Sequence, residues 1–254
     1  IPFEAIPMHK VNTGNISYRD LPYMIKKFNI SYTYSATFLS ESKRSGLKLS
    51  KDLIAFAPHY SGKLNVDTIM LTRQQNYSIL NDLPYARKEA EFASSYIGGR
   101  LYAGDEARES LFKSEAGKYD IIHLAMHTVI NDDDPMHSKM VFSQAPDKEE
   151  DGLLNTWEVY GIPLKARMAI LSSCNTGNGM LYSGEGILSL ARGFMYSGCE
   201  SVVMSLWEID DMSGSDLIKG FYRSLKKGTS KSTSLRRARL DYIEVADMLK
   251  SHPH

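Results

Sequence analysis

Residues 119–127 read Tyr119-Asp120-Ile121-Ile122-His123-Leu124-Ala125-Met126-His127. Tyr119–Ala125 is a short apolar run rich in β-branched residues, which predicts a buried strand. Similar runs occur at Asp52–Pro58, Ala166–Ser172 and Glu200–Leu206, with a shorter one at Lys139–Ser143. Between them lie helical patterns. Leu83–Ile97 carries Tyr85, Glu89, Phe92, Ala93 and Tyr96 at helical spacing, and Asp105 is placed to cap a helix through Glu115. Glu185–Ser197 sets Ile187, Leu188, Ala191, Phe194 and Met195 on one stripe. Asp211–Lys227 carries Leu217, Ile218, Phe221, Tyr222 and Leu225, and Thr233–Lys250 reads as a last helix. Strands alternating with helices predict βαβ units, hence an α/β protein with a mostly parallel central sheet and helices on both faces.

Composition narrows the function. The 254 residues carry 30 Lys+Arg against 30 Asp+Glu, which argues against a protein whose main work is neutralising phosphates, so no direct nucleic-acid partner is expected. Two cysteines, Cys174 and Cys199, exclude a disulfide scaffold and suit a reducing compartment. Without a CxxC or a Cys/His quartet, a structural zinc site is not expected, and catalysis by a thiol and an imidazole would need no metal or other cofactor. No uncharged apolar window reaches the roughly 18 residues of a membrane span, since the longest stretch, Ile187 to Trp207, is broken by Arg192 and Glu200. The reading is a cytoplasmic protein with no membrane partner. Charge is uneven along the chain. Asp132–Asp134 and Asp147–Asp151 are acidic, and the segment from Lys226 to Arg239 is basic, as solvated loops and helix faces often are.

In parallel sheets, chemistry gathers where strands end. One strand delivers His127 and another delivers Cys174, 47 positions later. An imidazole can take a thiol proton or stabilise the thiolate, so the pair suits nucleophilic catalysis, and the order and spacing fit the caspase arrangement. Gly177 and Gly179 let the chain turn tightly after the cysteine, so that the amides of Cys174 and Thr128 can face an oxyanion. A buried packing cysteine and a hydrogen-bonded structural histidine are the alternatives.

These residues resemble the CHAT family, caspase-like domains associated with tetratricopeptide repeats. The likeness runs through Ile1–Ile6, Asn29–Ala36, Leu83–Ala93, Tyr119–His127, Ala169–Gly177, Gly184–Phe194 and Ser197–Trp207, and continues at Asp211 and Phe221-Tyr222. It implies a caspase-like three-layer sandwich and a cysteine peptidase, with His127 as base, Cys174 as nucleophile, His123 structural and Cys199 in the core. Thr128 stands where many members have Gly or Ala, and a β-branched residue is less free in its backbone. The chain reads as a single peptidase domain over residues 1–254, truncated at both ends and cut from a larger protein.

The expected substrate is a protein. Glu185, Asp210, Asp211 and Asp132 are the acidic candidates for a pocket selecting a basic residue, although Asp210 and Asp211 also read as a helix N-cap pair. The resemblance further implies activation by a tetratricopeptide-repeat domain or another regulatory partner. It also implies a role in bacterial antiviral defence or cell death, with a gasdermin-like pore former as a possible substrate. The acidic loops 129–136 and 145–152 are candidate activation loops. Two other classes stand beside this reading: a catalytically silent interaction module, and a Cys-dependent acyltransferase or esterase, which lacks the G-x-S-x-G elbow.

Overall fold

A computed structural model describes residues 3–10, 18–36, 52–60, 80–172, 185–206 and 209–245. The apolar runs are strands. β1 (Leu53–Ala57), β2 (Gly99–Ala103), β3 (Ile121–Ala125), β7 (Met168–Ser172) and β8 (Val202–Met204) form one sheet in the order β2-β1-β3-β7-β8, and every pairing is parallel. All residues of β1 and β3 are buried, as unbroken apolar runs require in a sheet covered on both faces. A second sheet is antiparallel and joins β4 (Thr128–Val129), β5 (Lys139–Val141) and β6 (Leu153–Asn155).

Helices α2 (Pro84–Ile97), α3 (Glu109–Glu115) and α5 (Glu185–Tyr196) connect the parallel strands, and a short α4 (Thr156–Val159) follows β6. The step β1→β2 moves toward one sheet edge through α2. The steps β2→β3 and β7→β8 move toward the other, through α3 and α5. Right-handed crossovers then place α2 on one face and α3 with α5 on the other. Side chains agree. Phe112 of α3 lies 5.7 Å from Phe56 of β1 and 6.3 Å from Phe194 of α5. Glu89 of α2 instead meets His123 of β3. Phe56 is in register with Leu124, the neighbour of His123, so the two contacts lie on opposite faces. The α/β fold with helices on both faces is therefore present, as the alternating pattern requires.

Three local expectations change. β2 has no apolar run to announce it, because Gly99 and Arg100 are exposed and only Tyr102 is buried. Gly99 is required there by close approach, since a Cβ would stand 2.0 Å from the Leu53 carbonyl oxygen. Asp105 does not cap α3: it lies in a 3-10 turn, Gly104–Glu106, and the extended backbone of Arg108 separates that turn from the helix. The buried face of α5 is Gly186, Ser189, Leu190, Ala191, Gly193 and Phe194, so Ile187, Leu188 and Met195 sit at its margin.

The chain forms two compact units, Ser50–Ser215 and Ile1–Leu49 with Asp216–His254. The division falls inside α6 (Asp211–Lys226), which has the expected apolar stripe of buried Leu217, Ile218, Phe221, Tyr222 and Leu225. In the second unit, Tyr23 and Ile25, at α1 (Met24–Lys27), pack with Ile243 of α7 (Lys231–Val245), and Leu21 and Leu240 join them. The Arg236 guanidinium donates to the carbonyls of Ile25, Lys26 and Phe28, satisfying groups that a helix end leaves open. Arg239 lies 2.8 Å from Glu4, which also accepts from the Tyr32 hydroxyl. Two arginines of the basic run thus hold this unit together, while Lys226, Lys227 and Arg237 remain exposed. Among the described residues, no helix is long and apolar enough to cross a membrane.

Candidate active site

His127 sits where the chain leaves one sheet for the other. The Met126 amide still bonds Ser172 of β7 at 3.3 Å, and Thr128 already pairs with Met140 of β5. Between them the imidazole is 5% exposed, and its Nε2 lies 2.7 Å from the Asn81 carbonyl oxygen. A carbonyl only accepts, so Nε2 carries the proton and Nδ1 carries the lone pair of the neutral ring. This bond thereby selects which nitrogen can serve as a base.

Tyr60, three residues beyond β1, packs its ring 4.7 Å from the imidazole, centroid to centroid. Its hydroxyl accepts from the His127 amide at 3.1 Å and donates to the Val141 carbonyl at 2.6 Å. Its own amide donates to Asp82 Oδ1 at 3.3 Å, and His59 Nδ1 lies 3.0 Å from the same carboxylate. Asp82 thus ties the end of β1 to the segment that presents the Asn81 carbonyl. Tyr60, Asn81 and Asp82 have no sequence signal linking them to His127. Adjacency of β1 and β3 brings in Tyr60, while Asn81 and Asp82 arrive on the segment just before α2, the helix that packs on β3.

His123 points to the same face from within β3. It is fully buried, with Nε2 3.0 Å from Glu89 Oε1 of α2. Histidines four apart on an extended segment share a side, and here one meets the body of α2 and the other meets the residues just before it.

The four acidic pocket candidates do not share one place. Asp132 accepts from the Gly186 amide at 2.9 Å, at the start of α5. A Cβ at position 186 would lie 2.7 Å from Ile130 Cγ2 and 2.9 Å from the Asn131 carbonyl oxygen, so only glycine allows this approach. Asp210 accepts from the Ser213 amide at 3.0 Å at the head of α6, the N-cap role. Asp211 caps a different helix: its carboxylate accepts from Tyr85 and Ala86 at 2.8 and 2.7 Å, on the first turn of α2. Burial, with the nearby charge of Glu89, holds the Asp211 carboxyl above its ordinary value, against those amide bonds and His127. Glu185 is exposed, 3.7 Å from Arg192.

Thr128 is buried, and in β4 it pairs with Met140. The hydrogen-bonded pair of this ladder is His127 with Val141, so alternation turns the Thr128 amide away from β5. Ser172, the last residue of β7, pairs with Ala125, two residues before His127. Cys174 lies outside the described residues, as do Gly177 and Gly179. Cys199 is buried, 2% exposed.

Among the described residues, one set of carboxylates converges as metal ligands do: Glu109, Glu150 and Glu158. The Lys113 ammonium lies 2.9, 2.6 and 2.8 Å from them, filling the place a cation would take. Both acidic loops are fastened. Asp132 holds the first to α5, while Glu150 to Lys113 and Asp147 to Ser110 (2.6 Å) hold the second to α3.

The CHAT domain matches this chain over residues 1–254. The chain belongs to the CHAT domain family. It is 22% identical over 268 residues to tetratricopeptide repeat protein 28 of Homo sapiens, covering 91% of this chain and 10% of the relative. The Mus musculus protein of the same name is 24% identical over 203 residues, covering 68% of this chain and 8% of that relative. The chain spans about a tenth of the length of these curated relatives, both tetratricopeptide repeat proteins. The CHAT family is related to caspase-like cysteine peptidases, and the α/β fold described above agrees with that kinship.

Proposed function

We propose that this CHAT domain is a cysteine endopeptidase in which His127 activates Cys174. The observation that carries the reading is the Asn81–Nε2 bond, which leaves Nδ1 as the basic nitrogen at the carboxyl end of β3. The neighbouring strand β7 leads into the cysteine. Nδ1 takes the thiol proton, and the sulfur attacks the peptide carbonyl carbon. The oxyanion is held by backbone amides, for which the Thr128 and Cys174 N–H groups are the candidates. As the tetrahedral species collapses, the carbon–nitrogen bond breaks and His127 returns its proton to the leaving amine, giving a thioester. Water, deprotonated by His127, then releases the acid and restores the thiol. This scheme requires no cofactor.

The relatives' repeats support a tetratricopeptide-repeat domain or protein as the regulatory partner, with loops 129–136 and 145–152 as the segments it would reshape. A cytoplasmic site of action is a finer proposal that rests on composition, while a bacterial defence or cell-death pathway and a gasdermin-like substrate rest on family resemblance alone. Of the acidic pocket candidates, Glu185 and Asp210 are exposed; Asp210 caps α6, so Glu185 best suits a basic residue before the scissile bond.

The test is cleavage of candidate protein partners by the wild type, Cys174→Ala and His127→Ala. Both substitutions are expected to remove cleavage, and an electrophilic thiol probe is expected to label Cys174 in preference to Cys199 only while His127 is present. Undiminished cleavage by Cys174→Ala overturns the assignment and leaves the interaction-module reading.

A further inference from the structure

The Tyr60 hydroxyl stands inside a β-ladder, at the residue that matters most. In a hydrogen-bonded antiparallel pair the two residues exchange both N–H···O bonds. His127 and Val141 exchange one directly: the Val141 amide donates to the His127 carbonyl at 2.9 Å. The return bond is interrupted. The His127 amide donates to the Tyr60 hydroxyl at 3.1 Å, and that hydroxyl donates to the Val141 carbonyl at 2.6 Å. A hydroxyl has one proton and acceptor lone pairs, so a single oxygen fills both roles. The insertion explains why β4 begins at Thr128 and not at His127. It wedges the backbone open at the point where the chain changes sheets.

The same side chain also reaches the imidazole. Its ring lies 4.7 Å from the His127 ring at an interplanar angle of 55°. Its amide is tied to Asp82, next to the residue whose carbonyl holds Nε2. His127 is therefore held at its amide, its ring face and its Nε2, and Tyr60 takes part in each hold or adjoins it. The phenol is 6% exposed, and burial pushes its ionisation far above the ordinary range, so the hydroxyl keeps the proton the wedge needs.

We propose that Tyr60 is a positioning residue for His127, its hydroxyl wedging the β4–β5 ladder and its ring packing on the imidazole so that Nδ1 is presented in one orientation and one tautomer. The inference rests on the reading of His127 as the base. Without the hydroxyl, the His127 amide can close directly on the Val141 carbonyl. The backbone then swings, and the ring leaves the Asn81 carbonyl.

The test uses the full chain with Tyr60→Phe, which retains the ring and removes only the wedge. The control is Tyr102→Phe, which removes another buried phenol from the same unit. Two readouts are taken: nitrogen chemical shifts of the His127 imidazole, and kcat and KM for any peptide the wild type cleaves. In Tyr60→Phe the two ring-nitrogen shifts are expected to move toward each other as the single tautomer is lost. The kcat is expected to fall roughly ten- to hundredfold with KM little changed, the pattern of a displaced catalytic group. Tyr102→Phe is expected to leave both readouts at wild-type values. Wild-type imidazole shifts in Tyr60→Phe overturn the proposal, whatever happens to cleavage. Shifted imidazole signals in a protein whose wild type cleaves nothing uphold the positioning and reject the peptidase reading instead.

Discussion

Lys113 faces three carboxylates with one ammonium, and they are not equally served. Glu158 is buried in part, which alone would raise it, yet hydrogen bonds from Lys113 and Asn155 hold its carboxyl below the ordinary value. Glu109 is 1% exposed, and burial outweighs its bond from Lys113, pushing its pKa from 4.5 to about 7. Above pH 4.5 the unfolded chain has released this proton while the folded chain still holds it. Stability from this group is therefore complete below pH 4.5 and declines as pH rises through about 7. Glu109→Gln is expected to flatten that decline. Denaturant midpoints of the variant between pH 5 and 8 should vary less than those of the wild type, and an unchanged slope would place the titration elsewhere. At this scale the chemical types were legible: a histidine at a strand end, and acids near helix heads. Their partners were not. Nothing in the spacing of Tyr60 or Asn81 points to His127, because one follows a neighbouring strand and the other precedes a helix packed on the sheet, both distant in sequence.

Among the elements, α2 shows how a helix can depend on a distant residue. Pro84 stands in its first turn and Leu83 provides no capping side chain, so the open amides of Tyr85 and Ala86 are satisfied by Asp211, more than a hundred residues away. Asp211→Ala is expected to cost about 1–2 kcal/mol, the range for a lost N-cap, measured as a lower denaturant midpoint. No change would mean that solvent serves those amides equally well. The strands that sequence located best, β1, β3 and β7, are the fully enclosed ones, where burial demands continuous apolar residues. Those it missed, β2, β4 and β6, are short or lie at an edge, and their residues need not be apolar. The stripe of α5 was misplaced because Gly186 and Gly193 form its closest approach, and hydrophobic periodicity does not register a glycine.

Across the whole molecule, two compact units each have their own means of cohesion. The sheet unit rests on enclosed strands. The other joins segments from opposite ends of the chain through Tyr23, Ile25 and Ile243, with Arg236 and Arg239 closing its polar groups. Ile243 is fully buried, so Ile243→Ala is expected to cost about 2–5 kcal/mol in this small cluster, seen as faster amide exchange in residues 18–36. Unchanged exchange there would show that the cluster carries little of this unit's stability. The parallel α/β architecture and the strand that runs out at His127 were set by sequence alone, because burial and backbone geometry act over a few residues and leave a periodic trace. Strand order, the Tyr60 wedge, the tautomer of His127 and the helix that Asp211 caps were decided only by tertiary structure. Each depends on which segments meet in space, and no local pattern encodes that.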